Sequence, residues 1–235
     1  MADSELPVRL ICATRLPPER FLQDSLTGRS VSAYSAASPA EIHLCANNST
    51  GLPEIYNGSI EAARDNPALL VFVHDDVFLQ DYFWAGHLRS ALNTFDIIGV
   101  AGNRRRQPLQ AMWSLYLDAS TGTLKADDAE HLSGAVAHGS VFPPRQLDYF
   151  GPPGVECKLL DGLLLAADSR TLIRSGLRFD PQFRFHFYDM DFCREAERLG
   201  LRMGTAPLSV VHASGGSMND DWRTAFGAYL RKWQQ

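Results

Sequence analysis

The chain has 235 residues, with 22 lysines and arginines against 27 aspartates and glutamates and a formal charge of −5 at pH 7. At that length roughly 70–75% of the unfolded chain's surface can be buried, so no disulfide, metal or partner is needed to make a core, and a single domain is expected. Hydrophobic residues at 45% and aromatic residues at 10% exclude a disordered chain, and no basic run exceeds Arg104-Arg105-Arg106, which argues against nucleic acid as a partner. Cys12, Cys45, Cys157 and Cys193 show no C-x-x-C spacing, and no apolar stretch approaches the ~20 residues of a spanning helix. The expectation is a soluble protein of the reducing cytoplasm with no transmembrane segment.

Residues 8–13 are apolar and closed by Thr14-Arg15 and Pro17-Pro18, which predicts a buried strand opening onto a loop. Residues 17–26 suit a short helix, 30–38 are small and polar, and 41–46 read as a second strand ending at Asn47-Asn48. Leu52, Ile55, Ser59 and Ala63 then recur at helical spacing between a Ser49/Thr50 start signal and an Asn66-Pro67 stop. Residues 69–73 form a continuous apolar run, as in a strand covered on both faces, and it ends abruptly at His74-Asp75-Asp76. A helix over 82–93, with Tyr82, Leu88, Ala91 and Leu92 inward, and a buried strand over 97–101 complete an alternation that implies a mainly parallel sheet.

Beyond Gly102 the pattern breaks into short pieces at 112–117 and 135–138, as in a meander or long loops. Residues 158–167 read as one strand containing Asp161-Gly162, and 169–175 as a short helix. An amphipathic helix over 189–199 would bury Phe192, Cys193, Ala196 and Leu199. Val210-Val211 ends in His212, and Trp222, Phe226, Tyr229 and Trp233 place a C-terminal helix at 220–233. Trp84 and Trp113 read as exposed aromatics.

Three groups carry chemistry. In an open α/β sheet, ligands bind beyond the carboxyl ends of strands, where His74-Asp75-Asp76 is expected. Such oxygens and an imidazole suit a hard divalent cation, although paired acids also serve as turn caps. Asp189 and Asp191, flanked by aromatics from Phe185 to Phe192, open a helix, where one acid suffices as a cap and an aromatic-lined carboxylate suits a general base. His212, before Ala213-Ser214-Gly215-Gly216, ends another strand from which a second contact to a cation near Asp76 would come.

The order of these pieces resembles glycosyltransferase family 2, nucleotide-sugar enzymes of the GT-A fold, and within it the subgroup of the streptomycin-biosynthesis glycosyltransferase-like domain. The likeness runs through an Asn-rich turn after a strand, an apolar strand ending in H-x-D, then D-G, Y-D-x-D-F-C-R and V-H-x-S, and spans residues 8–217. It implies a single α/β domain with a nucleotide-binding half at 8–103 and an acceptor and catalytic half at 104–217. It further implies transfer of a sugar from a nucleotide-diphosphate donor, UDP preferred, to an acceptor hydroxyl, with inversion and with Mn²⁺ or Mg²⁺. By position, Asp76 matches the metal ligand of the family's D-x-D, with His74 in place of the first Asp and Asp75 beside it. Asp189 matches the catalytic base, with Asp191 as the other candidate. Asp161 and Gly162 match the sugar and acceptor side, Ala13, Thr14, Asn47 and Asn48 the base and ribose site, and His212 a late contact to metal or diphosphate. Two rival readings remain: a metal-dependent hydrolase using His74, Asp76, His186 and His212, and a nucleotide- or carbohydrate-binding module without turnover. Arg104 to Arg106 would then be a solvated loop or a donor-phosphate contact.

Overall fold

The first apolar run becomes β1 (Val8–Ala13), and the Pro17-Pro18 break starts α1 (Pro18–Asp24). A second helix follows at once, α2 (Leu26–Tyr34), capped by Ser25, whose hydroxyl accepts from Gly28 N at 2.8 Å. Part of the stretch read as small and polar is therefore helical, and its small residues have a steric reason. Thr27, Gly28 and Ser30 are buried, and a Cβ on Gly28 would lie 2.2 Å from the Phe21 carbonyl oxygen, so α2 crosses α1 at backbone contact. β2 (Glu41–Cys45), α3 (Leu52–Ala62) and β3 (Leu69–Val73) fall within the expected stretches.

After β3 the chain turns through His74-Asp75-Asp76 into β4 (Val77–Leu79), then α4 (Trp84–Leu92), β5 (Ile97–Gly99) and β6 (Ala101–Asn103). Because α4 starts two residues later than expected, its inner face is Trp84, Ala85 and Leu88; Trp84 is 1% exposed and Tyr82 is 63% exposed, the reverse of the reading from sequence. A hairpin sheet follows, β7 (Gln110–Met112), β8 (Leu115–Asp118) and β9 (Thr123–Ala126), then β10 (Leu132–His138), β11 (Gln146–Gly151) and β12 (Glu156–Cys157). The expected strand over 158–167 is two strands, β13 (Leu159–Leu160) and β14 (Leu164–Asp168), separated by a turn at Asp161-Gly162. α5 (Ser169–Ser175), α6 (Tyr188–Arg198), β15 (Met203–Thr205), β16 (Val210–His212) and α7 (Asp220–Lys232) complete the chain. A computed structural model describes residues 5–140 and 142–234.

The strands form a seven-stranded sheet, β12-β15-β5-β14-β3-β1-β2, a six-stranded sheet, β13-β6-β10-β16-β4 with β11 on β10, and the separate hairpin sheet. The larger sheet is parallel across β2, β1 and β3 and between β5 and β15, as the alternating pattern implies. It is mixed overall, because β14 enters antiparallel between β3 and β5. The chain crosses between the two main sheets repeatedly, among other places at residues 74–76, at Val100, at Asp161-Gly162 and between β15 and β16. Two short strands with a polar turn read from sequence as one long apolar run, since both are buried.

One contiguous core joins these layers, from Leu10 and Ile11 on β1 through Phe72 to Phe179 and Phe192, whose rings stack at 3.9 Å. No helix among the described residues is long and apolar enough to cross a membrane. The crossing after β3 is fastened to α2 by Thr27. Its N–H donates to Asp75 O at 3.1 Å, and its hydroxyl lies 2.5 Å from His74 O and 2.7 Å from Val77 O. Thr27 is fully buried, so Thr27→Val keeps the shape and leaves these carbonyls short of a donor. Urea unfolding is expected to show a loss of about 1–3 kcal/mol.

Candidate active site

The crossing turn and β16 converge because of sheet register. His212 pairs with Val77 on β4 and with His138 on β10, which places its ring beside the residue before β4. His212 Nε2 lies 3.4 Å from Asp76 Oδ1 and 3.1 Å from Ser214 Oγ, and the His74 and His212 rings are 6.1 Å apart. His74, Asp76 and His212 each offer a ligand atom, all within 4.8 Å of one another. Atoms bound to one ion at about 2.1 Å lie no more than about 4.2 Å apart, so small rotations bring this donor set onto a divalent cation. The late histidine and the acid of H-x-D do meet, and His74 joins them.

Electrostatics fit that use. Burial works to raise Asp76, but the hydrogen bond and charge of His212, with Ser214 and His74, outweigh it and hold the carboxyl well below the usual range. Burial lowers His74, which keeps the ring neutral and able to ligate. The Tyr188 hydroxyl donates to Gly162 O at 2.7 Å and sits 2.9 Å from His74 Nε2. With its single proton committed, Tyr188 accepts from Nε2–H, which leaves the Nδ1 lone pair as the ring's ligand.

Tyr188 and Asp189 open α6 from an unusual entry. Phe187 precedes them at φ 64°, a left-handed conformation costly for a bulky residue, and its buried ring is stacked on Phe226 with centroids 5.5 Å apart. Asp189 Oδ2 accepts from Gly162 N at 3.0 Å and Oδ1 from Met190 N at 2.8 Å. A Cβ on Gly162 would lie 2.5 Å from Tyr188 Oη and 2.8 Å from Asp189 Cβ, so only glycine permits this approach. Burial, followed by the charge of Asp161, pushes Asp189 up to about 7, against the pull of those backbone donors. Asp161 in turn accepts from Leu163 N at 3.0 Å and from the Trp113 indole at 2.9 Å.

His74, His212, Asp161, Gly162 and Asp189 line one cavity of about 210 Å³, walled by Trp113, Phe185, Tyr188 and Trp222. A wider cleft of about 900 Å³ shares Phe185, His186 and Ser217 with it, and holds Ala13, Thr14, Arg15, Asn48, Asp75 and Arg184. Thr14 Oγ1 donates to Asp75 Oδ2 at 2.5 Å, tying the end of β1 to the crossing turn. The cleft takes walls from early and late parts of the chain, since Gln182, Arg184 and, on α7, Thr224, Ala225 and Ala228 face Thr14 and Asn48 across it.

Other expected site residues lie elsewhere. Asn47 is exposed, adopts φ 50° and lines neither cavity, so it shapes the turn while Asn48 faces the cleft. Asp191 is 1% exposed and accepts from Trp233 Nε1 and Lys232 Nζ, each at 2.9 Å, which docks α7 and leaves no carboxylate for the cavity. His186 lines both cavities yet stands outside the cation-binding group, so only three of the four residues of the hydrolase reading assemble. Arg105 pairs with Asp127 and Asp128 and Arg106 with Glu197; none of Arg104 to Arg106 lines either cavity. Trp113 is buried, unlike the exposed aromatic expected. Residues that sequence reasoning missed are Arg15, Thr27, His138, Arg184 and Tyr188. Only Tyr188 carried a signal, as the residue before Asp189.

No family model and no curated protein matches the chain. Solved structures do. GalNAc-T7 with UDP, GalNAc and Mn²⁺ is 10% identical with a TM-score of 0.51, over 97% of this chain and 48% of that one. The catalytic domain of Drosophila β1,4-galactosyltransferase 7 in complex with xylobiose is 10% identical with a TM-score of 0.47, over 93% and 78%. A197 from STIV is 8% identical with a TM-score of 0.47, over 89% and 86%. The chain spans about half the length of GalNAc-T7, and the likeness to it gives a mixed α/β domain with a GT-A glycosyltransferase-like fold.

The placement of Asp191 makes a prediction that separates it from Asp189. Asp191→Ala strands the Trp233 indole N–H and removes one of two acids from Lys232, the other being Asp180 at 2.7 Å. Thermal and urea unfolding should show a loss of about 2 kcal/mol, a cost that Asp189→Asn, which touches neither Trp233 nor Lys232, should not incur.

Proposed function

We propose that the protein transfers a sugar from a nucleotide-diphosphate donor, UDP preferred, to an acceptor hydroxyl, assisted by Mn²⁺ or Mg²⁺ and with inversion. One observation carries the reading: a carboxylate poised near neutral pH lines the same 210 Å³ cavity as two histidines of a cation-binding group. That volume is below the usual range for a drug-sized ligand, roughly 300–1,000 Å³, and suits about one sugar ring, with the nucleotide in the wider cleft next to it. The UDP, GalNAc and Mn²⁺ bound in the GalNAc-T7 structure are in keeping with this division. The order of motifs along the chain further supports a family 2-like enzyme.

In this reading Thr14, Asn48 and Asp75 hold the base and ribose, and Arg15 and Arg184 face the diphosphate. His74, Asp76 and His212 would hold the cation, which would supply Lewis-acid stabilisation to the departing diphosphate. Asp189 accepts the proton of the acceptor hydroxyl as its oxygen attacks the anomeric carbon. The bond from that carbon to the phosphate oxygen breaks, and its electron pair leaves with the diphosphate. Trp113, Phe185 and Trp222 exclude water from the reacting centre, which favours transfer over donor hydrolysis.

Asp76→Ala is expected to abolish the extra thermal stabilisation that Mn²⁺ adds to UDP binding; an unchanged shift would remove Asp76 from the metal site. Asp189→Asn should leave UDP affinity within a few-fold and lower transfer by about 10²- to 10⁴-fold, read as product formation with a donor and acceptor panel. Because Asp189 holds its proton up to about pH 7, transfer by the parent should rise with pH through that value and fall below it. An acidic limb near pH 4 would refute the assignment.

A further inference from the structure

The hairpin sheet β7-β8-β9 touches the cavity through the turn after β7, and the contact it makes there is specific. Gln110, buried at the base of that turn, accepts from Gln107 N at 2.6 Å, and its amide nitrogen lies 2.8 Å from Met112 O and 3.3 Å from Trp113 O. The Trp113 ring packs edge-on against Phe150 at 4.8 Å. Backbone and ring are therefore both held, and the indole N–H has one direction, toward Asp161 Oδ2 at 2.9 Å.

Asp161 has its other oxygen on Leu163 N, while Asp189 has an oxygen on Gly162 N, so the two carboxylates are fastened to adjacent amides of one crossing turn. Neither can turn away while these bonds last. We infer that Trp113 is a positioning residue, which holds the Asp161 carboxylate beside Asp189 and thereby sets the proton affinity of the base.

After burial, the charge of Asp161 is the main cause of the rise of Asp189 to about 7. The other titratable groups around Asp189 are Tyr188 and Cys193 on its own helix. His74, His138, His186 and His212 line the same cavity from the end of β3, from β10, from the segment before α6 and from β16. Among these, Asp161 is the group whose hold depends on the hairpin sheet. The inference takes from the proposed transfer only the role of Asp189 as base.

The test reads Asp189 directly, without donor or acceptor, by titrating the side-chain carboxyl ¹³C signals of aspartate-labelled full-length protein, with Asp189 assigned through Asp189→Asn. Asp161→Asn removes the neighbouring charge and should lower the Asp189 midpoint by roughly one pH unit. Trp113→Phe keeps a ring against Phe150 but removes the donor that holds Asp161 Oδ2, so the Asp161 carboxylate turns toward water and the Asp189 midpoint should fall as well, by roughly half a unit. Shifts in the same direction, the smaller one for Trp113→Phe, support the inference. If Trp113→Phe leaves the midpoint unmoved or raises it, or if Asp161→Asn leaves it unmoved, the inference is overturned. Should Trp113→Phe not fold, the parent's Trp113 indole N–H signal, assigned through its contacts with Phe150, should itself shift across the titration of Asp189, and a flat signal overturns the inference. A protein that shows these shifts but transfers no sugar would refute the proposed function and leave the role of Trp113 standing.

Discussion

The turn through residues 74–76 is the constraint on which the site depends, because it must carry the chain from one sheet to another while exposing three polar side chains. A buried turn of this kind leaves carbonyls without ladder partners, and each unpaired one costs about 1–3 kcal/mol. Thr27 supplies the missing donors from α2, Leu163 O accepts from His74 N at 3.1 Å, and Ala213 N donates to Asp76 O at 3.0 Å. Three elements far apart in sequence thus fix the backbone of one tripeptide, and its side chains make bonds of their own to Tyr188, Thr14 and His212. Rigidity here comes from backbone satisfaction, which explains why α2 presents Thr27, rather than an apolar residue, to this turn.

Elements with strong periodicity were legible in the sequence: β1, β3 and α5 occur with the expected bounds, and α3, α6 and α7 to within a few residues. What failed was reading a change of sheet. Leu159 to Leu165 is apolar wherever it is not Asp161 or Gly162, and local pattern cannot tell one strand from two when both are buried. Gly102 shows the same difficulty, since a Cβ there would lie 2.5 Å from Leu159 O, a contact made across 57 positions of chain and invisible in any window. α2 was hidden for a related reason: its inward face is selected for closeness to α1, and small residues carry little hydrophobic signal.

The site was legible in type and less so in detail. Strand ends pointed to His74, Asp76 and His212, because an apolar run that stops at a polar residue marks where backbone meets ligand, whereas Asp161 was read inside a strand and came to notice only through the family resemblance. Choosing between neighbours needed three dimensions. Asp189 and Asp191 differ by two positions, about 200° around a helix, so one faces the cavity and the other faces α7. Asn47 and Asn48 divide in the same way, one taking the left-handed turn and the other the cleft. Trp113 was visible as an aromatic residue, but its partner lies 48 positions away on another sheet.

Asp76 and Asp189 show how neighbouring acids are fitted to two chemistries. Both are carboxylates drawn from water, and burial alone would raise both. Asp76 faces imidazoles, whose hydrogen bonds and charge more than reverse the effect of burial, so it stays anionic and suits a cation. Asp189 faces Asp161, and its two backbone donors only moderate the rise, so it exchanges a proton near neutrality. Pairs of acids pushed apart in this way mark which one binds charge and which one moves protons. Tyr188 lies between them, bonded to His74 on one side and to the carbonyl of Gly162 on the other, with Asp189 next along the helix. Moving that hydroxyl would therefore disturb His74 and the turn that holds Asp189 together, which makes the proposed cation site and the proposed base one mechanical unit rather than two neighbours.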